Sequence, residues 1–278
     1  MRGARKSNSW LFARQQVEQG SPSRQDGLSA LEESQQRQKA AQFIALTGMA
    51  LRLSRPTISR ATVFMHRFYM RQSLRRHNFY DVSAACLSVA LKASDNSMDH
   101  RQMATLVKAC ARKAAKNDTL KLSPDSKEFS RWSHIITYYE EFVLACLCFD
   151  MDVELPYDHL VQISKDMDVS KKSLQMAWCT LNDSFRYTIC LTHSHEEIAV
   201  AALYLSLRLH NEVKPLSLSD GRKVGDKPPS FCGVDLAAIQ EILSPLLDQY
   251  PNSPASQSEG SPVNIHTIAS PASVVVRQ

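Results

Sequence analysis

The sequence predicts an all-α chain built as two small tandem domains, and three observations predict it. The first is the stretch Tyr80 to Ala93, YDVSAACLSVALKA, which has no charge and no helix breaker from Val82 to Leu91. On a 3.6-residue wheel its apolar residues lie on every side, and a helix that is apolar all round is buried all round. It is too short for a membrane span, which takes roughly 20 residues, so it reads as the central rod of a helical domain. The second observation is that the rod recurs. Glu197 to Leu209 reads EIAVAALYLSLRL, and a shift of 116 positions sets Val82 on Ile198, Ala85 on Ala201, Leu87 on Leu203, Leu91 on Leu207 and Lys92 on Arg208. The preceding helix keeps the same shift, with Ile58, Ala61, Thr62, Met65 and Tyr69 falling on Leu174, Ala177, Trp178, Leu181 and Phe185. This period far exceeds a solenoid unit of about 20–50 residues and fits a tandem pair. The third is negative: the chain has only eight glycines and little strand-like alternation.

The elements follow in order. Residues 1–28 are a polar arm, with Trp10, Leu11 and Phe12 as an isolated apolar cluster suited to docking on the body. Ser29 and Glu32 have the spacing of a capping box and open a helix whose buried stripe is Ala40, Ala41, Ile44, Thr47, Gly48 and Leu51. After Pro56, a second helix is lined by Ile58, Ala61, Thr62, Met65, Phe68 and Tyr69. An arginine-rich loop, 71–78, leads into the first rod. Asp99 suits the N-cap of a fourth helix through Met103, Leu106, Val107 and Cys110. A fifth, long helix carries Phe129, Trp132, Ile136, Tyr139, Val143 and Cys146 at spacings of three and four. Leu155-Pro156 ends the first domain. The second domain, 156–250, repeats the plan more loosely. It has a helix near Tyr157–Lys165, another from Lys171 to Arg186, and the second rod opened by Ser194 and Glu197. A loop over 211–231 and a last helix from about Val234 to Tyr250 follow, with Pro245 set to kink it. Residues 251–278 are Ser/Pro-rich and read as a disordered tail.

Composition narrows the function. Apolar content of 44% and charged content of 22% are ordinary for a soluble globular chain. The amino terminus lacks an apolar secretory core, and no run approaches a membrane span, so neither export nor a membrane partner is expected. The seven cysteines fall mostly inside apolar helical patterns and read as small hydrophobes of a reducing compartment. Charge is uneven. Residues 1–150 hold 23 Lys/Arg against 13 Asp/Glu, a net +10, whereas residues 151–250 hold 9 against 14, a net −5. The excess lies in Arg67, Arg71, Arg75, Arg76 and the Lys108–Lys121 region, either as solvated helix faces or as attraction for an acidic partner.

Catalytic signatures are absent from the sequence: there is no Gly-rich phosphate loop, no Gly-x-Ser-x-Gly and no His-Glu-x-x-His. Cys190, His193 and His195 cluster before a helix but match no common zinc spacing, so no metal and no cofactor are expected. Glu196 and Glu197 open a helix, where the dipole favours anions. Glu140 and Glu141 are neighbours pointing about 100° apart, so they form no carboxylate dyad, and either one reads by default as part of a solvated face. Lys92, ending the rod, either snorkels to water or marks a binding surface.

Local sequences then point to a family. Trp10-Leu11-Phe12 with Ser21-Pro22-Ser23-Arg24 resembles the amino-terminal arm of the transcriptional cyclins T and K, and Gln36-Arg37-Gln38-Lys39-Ala40-Ala41 resembles the start of their first box helix. Met65-His66-Arg67-Phe68-Tyr69-Met70 is close to their second-helix signature and is the most specific match. Ala90-Leu91-Lys92 is similar to the Ala-x-Lys that ends their third helix. The resemblance covers residues 10–250 and implies two tandem five-helix cyclin-box repeats, at 29–155 and 156–250. It also implies that Lys92 and Glu140, nine residues before Phe149, grip the kinase's αC region, with Leu144 one turn on adding apolar contact. The chain departs from the pattern at Ser88, where Phe is common, at Ala93-Ser94-Asp95, where Val-Glu-Glu is common, and at Cys148, where Gly precedes the Phe.

The resemblance therefore implies a nuclear regulatory subunit, not an enzyme. It would form a heterodimer with a cyclin-dependent kinase that phosphorylates the RNA polymerase II carboxy-terminal domain and promotes elongation. A K- or L-like regulator of another transcriptional kinase is the nearest alternative. A general transcription factor with cyclin-like DNA-binding repeats is the alternative of another class. It would call for basic surface on both repeats, and the −5 second repeat argues against direct nucleic-acid binding.

Overall fold

A computed structural model describes residues 10–94, 100–212 and 230–248. The N-cap expected at Asp99, most of the loop expected over 211–231 and the tail expected over 251–278 lie outside the described residues. The fold divides into two compact units, Met1–Leu155 with Phe185–Thr192, and Pro156–Ser184 with His193–Gln278. The division after Leu155 falls at a proline, but the short segment after the second unit's first helix pair packs with the first unit.

In the first unit two short helices, α1 (Arg14–Glu18) and α2 (Pro22–Gln25), form the arm. They precede α3 (Ala30–Ala50), α4 (Arg55–Phe68), α5 (Phe79–Ser94), α6 (His100–Ala114) and α7 (Lys127–Cys146). Helix α5 is the rod. Every residue from Val82 to Ala90 is buried, and α3, α4, α6 and α7 pack around it. Its small residues Ser83, Ala84, Ala85, Ser88 and Ala90 let those neighbours approach. The capping box at Ser29 forms as the spacing predicts, the Ser29 hydroxyl accepting from Glu32 N–H while the Glu32 carboxylate accepts from Ser29 N–H.

Helices α3 and α4 meet closely at Gly48. A Cβ there would lie 2.6 Å from Ile58 Cγ1 and 2.9 Å from its Cδ1. Alanine favours a helix over glycine by about 1 kcal/mol, but overpacking a filled core costs about 1–3 kcal/mol. Gly48→Ala is therefore expected to be net destabilising, by up to about 2 kcal/mol in urea unfolding. A gain in stability would mean that α3 and α4 can separate freely.

The second unit comprises, among its described residues, α8 (Tyr157–Asp166), α9 (Lys171–Ser184), α10 (His195–Leu209) and α11 (Leu236–Leu247). Helix α10 is buried continuously from Ile198 to Leu207 and is wrapped by α8, α9 and α11. Its capping box at Ser194 forms as expected. The 116-residue repeat is exact in the helix bounds, since Arg55–Phe68 shifted by 116 is Lys171–Ser184, and α10 starts 116 residues after α5.

Two local expectations are corrected here. The last helix begins at Leu236, because Asp235 accepts from Ala237 N–H as its N-cap. The residues before it form a two-stranded antiparallel hairpin, β1 (Ser230–Phe231) with β2 (Val234–Asp235). Its two loop residues, Cys232 and Gly233, both have positive φ, the backbone that two-residue hairpins favour. Helix α11 carries Pro245 inside it and ends at Leu247. Among the described residues no helix is long and apolar enough to cross a membrane.

Candidate functional site

Lys92 and Glu140, expected to share a function, are brought together. Lys92 Nζ lies 2.9 Å from both carboxylate oxygens of Glu140. The two differ in exposure. The Lys92 side chain is 47% exposed at the end of α5, whereas that of Glu140 is only 11% exposed. Glu140 is thus not on the solvated face assumed by default. It sits on the buried stripe of α7, four residues after Ile136 and three before Val143, a register already visible in the helical spacing. Its second partner is Ser88, whose hydroxyl donates to Oε1. The family's common Phe at this position could not do so, and the departure at Ser88 supplies the hydrogen bond that a buried carboxylate needs. Glu141 is exposed.

Leu144 lies one turn beyond Glu140 and is half-buried. The end of α7 extends this apolar surface. Cys148 N–H donates to the Ala145 carbonyl and Phe149 N–H to the Leu144 carbonyl, the paired bonds of a Schellman cap. Cys148 takes the left-handed residue of that cap at φ 52, and Phe149 follows at φ 56. Glycine is free of Cβ strain in this region, which explains why the family has it before the Phe; here a cysteine tolerates the strain. The cap leaves Phe149 71% exposed beside Leu144. Sequence reading used Phe149 only as a landmark, and its place just after a helix-ending position was the available signal.

The arginines that gave the first half its basic excess have local work. Arg67 and Arg71 stack on the Trp10 indole, at 5.1 and 4.8 Å from the ring centroid. Trp10 Nε1 donates to Asp150 Oδ2 at 2.9 Å, and Phe12 N–H to the Leu191 carbonyl at 2.8 Å. Arg76 makes two 2.9 Å bonds to the Asp26 carboxylate, whose pKa these bonds lower, and Arg75 donates to the Asp26 carbonyl. The arm docks as its aromatics suggested, and these four arginines hold it.

The cysteines divide. Cys86, Cys110 and Cys146 are buried, but Cys148, Cys179 and Cys232 are exposed, so burial holds for fewer than the apolar patterns implied. Burial pushes the Cys190 thiol up to about 12. Among the described residues no group of three His, Cys, Asp or Glu side chains is placed to hold a metal ion.

The family model described as Cyclin, N-terminal domain, matches residues 10–152. Cyclin pch1 of Schizosaccharomyces pombe is 31% identical over 98% of this chain and 80% of its own length. The chain belongs to the cyclin family. As a cyclin it is a regulatory subunit of a protein kinase and not an enzyme. Cyclin-T1-2 of Oryza sativa is 31% identical over 75% of the chain, and Cyclin-T1-5 of Arabidopsis thaliana 28% identical over 91%. The chain spans only 33% and 43% of the length of these two plant cyclins. Among solved structures, a chain of the yeast RNA polymerase II CTD kinase CTDK-1 complex aligns with a TM-score of 0.67 at 14% identity, over 93% of this chain and 80% of that one. A chain of the yeast TFIIK (Kin28/Ccl1/Tfb3) complex aligns with a TM-score of 0.59 at 15% identity, over 88% of this chain and 99% of that one. Both are likenesses of fold.

Proposed function

We propose that this cyclin binds and activates a cyclin-dependent kinase that phosphorylates the RNA polymerase II carboxy-terminal domain in the nucleus, and so promotes transcription elongation. The kinase docks on the first box, residues 29–155, at the surface formed by Lys92, Glu140 and Leu144, with Phe149 extending it. The second box covers 156–250 and the arm 1–28. The observation that carries this reading is the Lys92–Glu140 pair, an exposed ammonium held over a buried carboxylate at the edge of exposed apolar surface. Such a pair offers a partner helix both charge and a place to exclude water. The cyclin activates by binding the kinase's ordered, αC-in state more tightly than its inactive one. The likeness to Cyclin pch1 and the T-type cyclins supports the choice of a transcriptional kinase, and the like fold of a chain in the RNA polymerase II CTD kinase CTDK-1 complex agrees with it.

The test is to capture the cyclin from nuclear extract, identify the bound kinase by mass spectrometry, and assay the pair on CTD-repeat peptide. Lys92→Ala is expected to cost about 1–2 kcal/mol of stability, since it leaves the buried Glu140 carboxylate with Ser88 but without its cation. Glu140→Ala should cost about 1–2 kcal/mol of stability, since it strands the buried Ser88 hydroxyl. Each is expected to weaken kinase binding by on the order of 2 kcal/mol, roughly thirtyfold. If the double variant is folded and still binds and activates the kinase like the parent chain, the docking site is wrong. Nuclear depletion of the cyclin should shift engaged polymerase toward promoters, and an unchanged distribution would remove the elongation role.

A further inference from the structure

Three Ser-Pro dipeptides fall among the described residues, at Ser21, Ser123 and Ser244, and the fold treats them differently. Ser21 is fully buried. Its hydroxyl donates to Glu33 Oε2 at 2.6 Å and accepts from Arg24 N–H as the N-cap of α2. Ser244 is exposed but lies inside α11, between the buried Leu243 and Leu246. A kinase cleft takes its substrate extended, so reaching Ser244 requires unwinding a packed helix. Ser123 has neither protection. It is exposed in the irregular connection between α6 and α7, followed by exposed Pro124 and Asp125.

The bonds that shape the Ser123 segment are local. Ser126 N–H and the Ser126 hydroxyl both donate to the Ser123 carbonyl, at 3.0 and 2.7 Å, and Asp125 N–H reaches the Ser123 hydroxyl at 3.4 Å. The Ser126 hydroxyl also accepts from Phe129 N–H as the N-cap of α7. The two side-chain bonds to Ser123 are solvent-exposed, so water can satisfy the groups that opening the turn would free. Each such exposed bond contributes only about 1 kcal/mol, which a kinase cleft can replace. The flanking Lys121 and Lys127 are exposed cations and lower the electrostatic cost of a dianion between them.

We propose that Ser123 is a phosphorylation site for proline-directed serine/threonine kinases in the folded protein, and that Ser21 and Ser244 are not. In the reaction the Ser123 hydroxyl oxygen bonds to the γ-phosphorus of ATP. The bond from that phosphorus to the bridging oxygen breaks, ADP leaves with the electron pair, and the hydroxyl proton passes to the modifying kinase's base. The modified residue sits before α7, and Glu140 lies about 20 Å along that helix from Lys127 at 1.5 Å per residue. The mark therefore leaves the Lys92–Glu140 surface free, and it is a label for other proteins rather than a block on the cyclin's own kinase.

The experiment incubates the full chain with magnesium-ATP and an active proline-directed kinase, and follows each site by mass spectrometry of its own peptide. Three synthetic peptides, spanning Ser21, Ser123 and Ser244, give the rate each sequence supports without the fold. The ratio of the rate in the protein to the rate in the peptide is expected to be near one for Ser123 and below a tenth for Ser21 and Ser244. A Ser123 ratio below a tenth, or a Ser21 ratio near one, overturns the proposal. Ser123→Ala should abolish only its own signal, and phosphorylated chain should capture the kinase of the Lys92–Glu140 surface as well as unmodified chain does. A tenfold loss of capture would overturn the separation of the two surfaces, while the site assignment is judged by the rates alone.

Discussion

Arg37→Ala is expected to destabilise the first unit by about 3–5 kcal/mol, the usual cost of removing one partner from a buried ion pair. The Arg37 guanidinium is 2% exposed on α3 and its charge is met by Glu33, one turn earlier, at 2.8–2.9 Å. Its two outer nitrogens donate to the His66 carbonyl at 3.2 Å and the Tyr69 carbonyl at 3.0 Å. Those carbonyls end α4, where a helix has acceptors without helical donors. Glu33 in turn accepts from the Ser21 hydroxyl, so the Glu33–Arg37 pair joins the arm, α3 and the end of α4. Alanine would leave a carboxylate 5% exposed with one hydroxyl for company and two carbonyls without donors. Urea unfolding followed by Trp10 and Trp132 fluorescence reads the loss. The double variant Glu33→Gln, Arg37→Met should lose less than Arg37→Ala, because it buries no unpaired charge. If Arg37→Ala costs under about 1 kcal/mol, water reaches the pair and the junction is not a buried one.

Features set by local or all-round patterns were legible in the sequence. The two rods were plain because apolar residues on every face leave burial as the only outcome. Capping boxes at Ser29 and Ser194 were plain because both partners lie within one turn. Features set by tertiary adjacency were not. Nothing in the spacing of Arg37 distinguishes it from a surface arginine, because its acceptors are 29 and 32 residues away. Arg67, Arg71, Arg75 and Arg76 read as a basic surface because the arm that occupies them is separated from them by more than 40 residues of sequence. Glu140 stands between these cases. Its meeting with Lys92 followed from the family likeness, while its burial was written in the register of Ile136 and Val143 and was overlooked because charge suggested solvent. The hairpin at Ser230–Asp235 was missed because two-residue strands carry no alternation.

Acidification is expected to weaken the first unit well above the pH at which carboxylates protonate, through His66. This side chain is fully buried on α4, with Nε2 3.0 Å from the Phe185 carbonyl. Nδ1 is buried without a hydrogen-bond partner. The neutral ring therefore donates from Nε2, and a second proton would place a charged N–H where nothing accepts it. Burial, with the Arg37 guanidinium acting in the same direction, lowers the His66 pKa to about 3, against the pull of the Phe185 carbonyl. An unfolded histidine takes its proton near pH 6.5. Between about 6.5 and 3 the unfolded chain thus binds one proton more than the folded chain, so stability is full above pH 6.5 and falls as pH falls. The whole window is worth on the order of 4–5 kcal/mol, and the step from pH 6.5 to 5 alone about 1.5–2 kcal/mol. His77, also lowered by burial and by Arg76, adds to the same slope. The half-buried Asp26 and the exposed Glu32, both held below their usual values, act only at lower pH. Urea unfolding at pH 7, 6 and 5 should show this slope in the parent chain and a clearly shallower one in His66→Gln, whose amide can still donate to the Phe185 carbonyl. Equal slopes in the two would mean that His66 charges in the folded state. Should His66→Gln not fold, an NMR titration of the His66 ring protons decides the matter, since the neutral buried ring is expected to show no midpoint above pH 4.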